Sequence, residues 1–262
     1  TVPSDLVIFN EPPMWGELDF GPYSPGFATD WLLDGNRRGQ RWTWFPAKKG
    51  TGEALYVRDY GAAYVSGRYP GWPTDPRAIY ATGYDEPGDA EKFEDRLFDL
   101  KVGARKNARP ARGRFPLVVL GQGFGFESPF HQHVLAEYLA SWGYRVVTAP
   151  LTGATGPKTD VSPAALAAEV GDLALLASRE PHESGLALVG YDLGGMAVVA
   201  LAGGGLTKPD LVVGIDTGLM SEKLTGDLIT SRGDFAWTNL TMPYVHFTRT
   251  AAENAARNLP ES

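Results

Sequence analysis

Short, nearly unbroken apolar runs punctuate the second half of the chain: Phe115–Leu120, Tyr144–Ala149, Leu186–Gly190, Leu211–Asp216 and Met242–Thr248. Runs of this length, bounded by Gly, Pro and Asp, predict strands, and the continuous Phe115–Leu120 run predicts one covered on both faces, as in a parallel sheet. Helical spacing separates them. Val134, Leu135, Tyr138, Leu139 and Trp142 form a stripe that stops at Gly143, and Ser162-Pro163 is an N-terminal signal opening a long helix to about Ser178. A third helix follows Leu193, and Gly203-Gly204-Gly205 ends it. Strands alternating with helices of this length predict a doubly wound, mostly parallel α/β sheet in a single domain.

The first half reads differently. Residues 1–26 are rich in Pro and Gly and predict an extended arm lying on the body. A strand is expected over about Gly26–Leu33, then turn chemistry at Asp34-Gly35-Asn36. The alternating polar and aromatic residues Gln40–Phe45 complete an antiparallel hairpin that ends at Pro46. Residues 48–110 show little strand pattern and predict an insertion packed near the mouth of the sheet. Within it only Asp89–Leu100 carries a helical stripe, through Phe93, Leu97 and Leu100, while the basic, Pro-interrupted Lys101–Arg112 predicts a solvated surface crossing.

Charge narrows the partners. With 24 basic against 31 acidic residues the formal charge is −7, and no basic block stands out, so nucleic acid and anionic membranes are not expected partners. No apolar run approaches the roughly 18 residues of a membrane span. The absence of cysteine removes disulfides, thiolate metal sites and a cysteine nucleophile together. It also combines with a start at Thr1, without methionine or an apolar leader, to suggest an exported protein, secreted or periplasmic, with the cytoplasm as the alternative. No P-loop is present, and Gly121–Gly125 is too short and wrongly spaced for a dinucleotide fingerprint. Neither an organic cofactor nor a metal is expected.

The chemistry concentrates in Leu186–Val199, where an apolar run, the turn Gly190-Tyr191-Asp192-Leu193-Gly194-Gly195 and a second apolar run predict strand, sharp elbow and helix. Small residues two places to either side of Asp192 allow the tight backbone of a nucleophile elbow. With the Phe115–Ala149 unit, this resembles the α/β-hydrolase superfamily. Gly21–Gly26, Trp44-Phe45-Pro46-Ala47, the Gly-x-Gly turn and Leu135–Tyr144 further resemble platelet-activating-factor acetylhydrolase and dienelactone-hydrolase-like esterases. The resemblance spans roughly residues 17–260 and implies an esterase or lipase acting on a carboxylic ester, with a small-molecule ester as its partner. It implies an oxyanion hole from the backbone N–H groups of Phe124 and Leu193, a triad acid at Asp216, and substrate contacts at Gln122 and Tyr191.

Two departures qualify that implication. Asp192 stands where an esterase carries serine, and no histidine matches the family position beyond a further strand. His131 and His133 lie at a helix start but do not share a face, His182 falls in a surface loop, and His246 reads as a core residue in a strand. An aspartate, with an ordinary pKa of about 3.9, needs no base to attack. Attack on an ester would give a high-energy mixed anhydride, whereas attack on saturated carbon gives an ordinary ester, as in epoxide hydrolases and haloalkane dehalogenases, whose elbows this one resembles. A histidine would still be needed to activate the releasing water. Three readings follow: an esterase-type hydrolase with Asp192 as an engineered or natural replacement and its histidine in a segment beyond this chain; an aspartate-nucleophile hydrolase of alkyl electrophiles; or a non-catalytic hydrolase fold serving as a binding or assembly module with a protein partner.

Overall fold

The structure is a computed structural model that describes residues 18–34, 37–67, 75, 97–123, 129–149, 161–217 and 226–248. Nine strands among these residues form one sheet: β1 Ser24–Asp34, β2 Arg37–Ala47, β3 Glu53–Tyr56, β4 Lys101–Lys106, β5 Leu117–Gly121, β6 Arg145–Thr148, β7 Leu186–Tyr191, β8 Leu211–Ile215 and β9 Tyr244–Phe247. Their order is β3-β4-β1-β2-β6-β5-β7-β8-β9. Pairing is parallel from β6 through β5, β7 and β8 to β9 and between β1 and β4; β1–β2, β2–β6 and β3–β4 are antiparallel. The sheet is therefore mostly parallel with an N-terminal hairpin built into it, as the run pattern predicts.

Helices cover both faces: α1 Val57–Ser66, α2 His133–Ser141, α3 Pro163–Arg179, α4 Leu193–Gly203 and the short α5 Gly226–Thr230. Along β5 the alternation of side chains divides the core. Leu117 and Val119 join Leu166, Leu173 and the apolar residues of α4, while Val118 and Leu120 join Phe27, Trp42, Trp44 and Tyr60 on the other face. All four of these β5 residues are buried, which is why the strand reads as a continuous apolar run. The helix predicted from Ser162 spans Pro163–Arg179, with the Ser162 hydroxyl accepting from the Ala165 N–H at 3.1 Å.

The insertion departs from expectation. Lys101–Lys106 is a strand, β4, pairing with both β1 and β3; Val102 and Ala104 are buried while Lys101, Gly103 and Arg105, which alternate with them, are half-buried. Its period of two is real, but only two modest apolar residues carry it, so the basic residues dominate the sequence pattern. Val57, Tyr60, Gly61 and Tyr64 give α1 a buried stripe at helical spacing. The predicted helix at Asp89–Leu100 lies mostly outside the described residues, of which Leu97 and Phe98 are helical. The arm at residues 1–17 also lies outside them.

In α2 the buried face is not the predicted large apolar stripe but His133, Ala136, Glu137, Ala140 and Ser141. Its alanines let the helix approach the aromatic cluster of Phe27, Trp42, Trp44 and Tyr60, whose ring centroids lie 4.8–5.9 Å apart. Glu137 enters that cluster. The Trp44 indole N–H donates to the Tyr60 hydroxyl at 2.8 Å, the hydroxyl donates to Glu137 Oε1 at 2.6 Å, and the Gly103 N–H donates to Oε2 at 2.7 Å. A second buried acid, Glu180 just past α3, bridges Arg41 of β2 and Arg145 of β6, the latter at 2.6 Å, and Arg41 also pairs with Asp30 of β1. Burial, and the neighbouring Arg41 charge after it, push the Arg145 guanidinium down from its usual range.

Two predictions follow from these acids. Glu180→Ala leaves Arg41 and Arg145 facing each other without their shared carboxylate, and is expected to cost about 3 kcal/mol or more in urea unfolding. Glu137 is pushed from 4.5 to about 8, burial outweighing the hydrogen bonds it accepts. The unfolded chain loses this proton near 4.5 and the folded chain keeps it to about 8, so the stability contribution is full below the lower value and declines through that window as pH rises. Glu137→Gln should flatten this slope. The unfolding free energy of the wild type relative to the variant should fall by an amount on the order of a few kcal/mol between about pH 5 and pH 9; a difference independent of pH would count against the assignment.

Candidate functional site

The parallel strands β5, β7 and β8 end at one edge of the sheet, in register at Gly121↔Gly190 and Tyr191↔Ile215. Asp192 follows β7 with φ 50° and ψ −121°, a left-handed backbone that a non-glycine residue seldom adopts. Its N–H donates to the Ile215 carbonyl at 2.8 Å, and its carbonyl accepts from Gly195 at 3.0 Å and Met196 at 3.2 Å, so the chain passes directly from strand into α4. Two glycines permit that passage. A Cβ on Gly190 would run into the Gly194 carbonyl, and one on Gly194 into the Gln122 carbonyl. The whole of α4 is buried, which supplies the packing that holds the strained turn.

Asp192 is half-buried at the head of this helix, and Leu193, its first residue, is buried. As the first helical residue Leu193 has an N–H with no intrahelical acceptor, the geometry a backbone anion donor requires. Phe124, its expected counterpart, lies outside the described residues. Asp216 begins the loop after β8, also with a left-handed φ of 51°, and its N–H donates to the Phe247 carbonyl at 2.7 Å. Because Asp192 bonds to Ile215, the residue before Asp216, the fold brings the two expected acids to neighbouring strand ends.

Tyr191 is 39% exposed beside Asp192. Gln122, expected as a substrate contact, is turned the other way. Its side chain is buried, and its amide donates to the Thr148 hydroxyl at 3.1 Å and to the Ala149 carbonyl. The Thr148 hydroxyl, itself donating to the Leu120 carbonyl at 2.8 Å, and the Ala149 carbonyl at the end of β6 hold it there, so it braces the first turn from beneath.

The structure adds a group that the sequence does not single out. Thr217, buried after Asp216, places its methyl where a Cβ on Gly195 would stand, and its hydroxyl lies 3.1 Å from His246 Nε2. The Tyr244 ring stacks on His246 with centroids 5.9 Å apart. Burial pushes the Tyr244 hydroxyl up, partly offset by its hydrogen bond with Thr217. His246 is thus tied to the support behind the elbow, in the strand as read, but it is half-buried in β9, whose other residues are exposed, and not in the core that the sequence suggests. Only the β8–β9 pairing at Gly214↔His246 joins these positions, so no sequence signal identifies them. His133 lies buried with its ring 5.0 Å from that of Tyr60, and His182 lies beyond α3 with Nδ1 2.8 Å from the Glu180 carbonyl, before β7 begins. Among the described residues no three His, Cys, Asp or Glu side chains gather as metal ligands. No described helix is long and apolar enough to cross a membrane.

No protein-family model matches the sequence, and no curated protein matches it. Solved structures do. A ferulic acid esterase from Streptomyces cinnamoneus is similar over 86% of this chain and 73% of its own, with a TM-score of 0.54 and 20% identity. An acylaminoacyl peptidase from Pyrococcus horikoshii matches 85% of this chain and 31% of its own, with a TM-score of 0.43 and 11% identity. The first carries the comparison, and at that identity it speaks to fold rather than activity. With the mixed, mostly parallel sheet, the helices on both faces and the strand–elbow–helix at Asp192, this chain has the α/β-hydrolase fold.

Proposed function

We propose that the chain is the body of a carboxylic-ester hydrolase whose nucleophile position is occupied by Asp192. The observation that carries this reading is the backbone of Asp192 itself, held at φ 50° between interlocked glycines and hydrogen-bonded to the strand end that precedes Asp216. Such strain persists only where surrounding packing over-determines it, and it clusters at reactive positions. In this reading the Leu193 and Phe124 N–H groups stabilise the developing oxyanion, Asp216 orients a histidine supplied by sequence beyond Ser262, and Tyr191 contacts substrate.

With aspartate in place the reaction stops short. A carboxylate can add to an ester carbonyl, but expulsion of the alkoxide leaves a mixed anhydride in place of the ordinary acyl-serine ester. Serine, deprotonated by the histidine, would avoid that product. Asp192→Ser in a chain extended through the encoded residues past Ser262 is therefore expected to hydrolyse short-chain p-nitrophenyl esters, with a gain of about 100-fold or more over the unsubstituted extended chain. Hydrolysis no faster in the variant would remove the esterase reading.

The carboxylate favours a second reading in which Asp192 opens an epoxide or displaces a halide from saturated carbon. One oxygen of Asp192 would form the new C–O bond while the electron pair leaves with the epoxide oxygen or halide. Intact-mass measurement after incubation with both reagent classes should then show one adduct, abolished by Asp192→Asn; an unmodified protein counts against this chemistry. If neither variant nor wild type reacts, the non-catalytic module reading stands, and binding of a ligand or protein partner without turnover is its expectation.

A further inference from the structure

The end of the sheet opposite the elbow carries a local charge that the chain as a whole does not. β1, β5 and β6 run one way and β2 the other, so β2 ends where the other three begin. Five exposed cations stand on the connections at this end: Lys48 and Lys49 in the turn that leaves β2, and Arg109, Arg112 and Arg114 on the way into β5. Among the described residues no ion pair engages any of the five.

Backbone bonds hold the two segments together. The Lys48 N–H donates to the Arg109 carbonyl at 2.8 Å, the Ala111 N–H to the Pro46 carbonyl at 2.9 Å and the Arg109 N–H to the Thr51 hydroxyl at 3.1 Å, and Ala47 bridges Pro110. Cations distant in sequence are thereby presented from one fixed ledge. Aromatic residues continue it. The Phe115 ring, next to Arg114, meets Tyr23 edge-on with centroids 5.3 Å apart. Gly143 lies against both rings, since a Cβ there would stand 3.4 Å from Tyr23 and 3.7 Å from Phe115. Its neighbours Trp142 and Tyr144 are 49% and 38% exposed. Glu183 and Asp210 are exposed at the same end of the sheet, before β7 and β8, and bound the basic zone on that side.

We propose that this ledge docks the protein peripherally on an anionic bilayer surface, with its cations toward the lipid phosphates and Trp142 and Tyr144 at the headgroup level. Clustered Lys and Arg are drawn to anionic headgroups, and Trp and Tyr, apolar at one end and polar at the other, favour the boundary between hydrocarbon and water. The net charge of −7 argues against such a partner only as an average. A surface responds to the charges within a Debye length, about 10 Å at roughly 0.1 M salt. Cations on an exposed turn and bends suit a flat surface, whereas a nucleic-acid strand is tracked by a groove. Docked in this way, the protein keeps the elbow on the side away from the bilayer. The inference does not depend on the chemistry at Asp192.

Cosedimentation of the full chain with phosphatidylcholine vesicles, with and without phosphatidylglycerol, tests the proposal. Binding is expected to the anionic vesicles alone, and should be lost at about 1 M sodium chloride, where the Debye length falls to roughly 3 Å. The double variant Lys48→Glu, Lys49→Glu, in an exposed turn far from the elbow, should partition about tenfold more weakly with unchanged far-UV circular dichroism. If it does not fold, Arg112→Glu with Arg114→Glu carries the comparison. Brominated lipid should quench tryptophan emission of the wild type, and less in Trp142→Phe. No sedimentation with anionic vesicles, equal sedimentation with neutral ones, unchanged partitioning of a folded charge-reversed chain, or undiminished quenching in a folded Trp142→Phe chain would each overturn the proposal. Tighter binding to a DNA oligonucleotide than to the anionic vesicles would overturn it in favour of a nucleic-acid partner.

Discussion

Everything at the edge where β5, β7 and β8 end depends on one backbone crossing. The head of α4 passes so close to the ends of β5 and β7 that Gly194 touches the main chain at Gly121–Gln122 and Gly190 touches Gly194. No side chain larger than hydrogen fits at that crossing. The close approach forces Asp192 into a left-handed backbone, and the wholly buried α4 prevents the turn from relaxing. Thr217 fills the remaining space over Gly195 and is itself held by His246, so β8 and β9 brace the same turn from the other side.

A second constraint organises the hairpin side. Phe27, Trp42, Trp44 and Tyr60 form an aromatic layer under α2, and the polar tips within it must find partners because they are out of water. Glu137 meets that need, taking the Tyr60 hydroxyl on one oxygen and the Gly103 amide on the other. It ties α1 and β4 to α2 and so draws the insertion into the sheet. The carboxyl is most readily held there as the neutral acid, since burial disfavours its charge more than the hydrogen bonds favour it.

The elbow also illustrates how fold and chemistry separate. The elbow places a side chain at the head of a helix whatever that side chain is. An oxygen nucleophile there can be a hydroxyl, which needs a base, or a carboxylate, which does not but forms a poorer acyl product. Architecture alone does not choose between them.

What the sequence by itself determined is local. Continuous apolar runs identified β5, β6, β7, β8 and β9 because each is short and strongly apolar, and the glycines around Asp192 identified the elbow because no other residue permits it. The ends of α3 and α2 were legible from Ser162 and Gly143, one a side-chain cap and the other a left-handed stop at φ 97°. Tertiary structure decided the rest. β4 is a strand because β1 and β3 flank it, although its own residues read as solvated. Gln122 turns inward because the Ala149 carbonyl and Thr148 hydroxyl await it, and Glu137 is buried because alanines beside it let α2 descend onto the aromatic layer. Thr217 and His246 meet only through strand pairing. In each case the partner is distant in sequence, and periodicity and turn chemistry report only on what a residue does with its near neighbours.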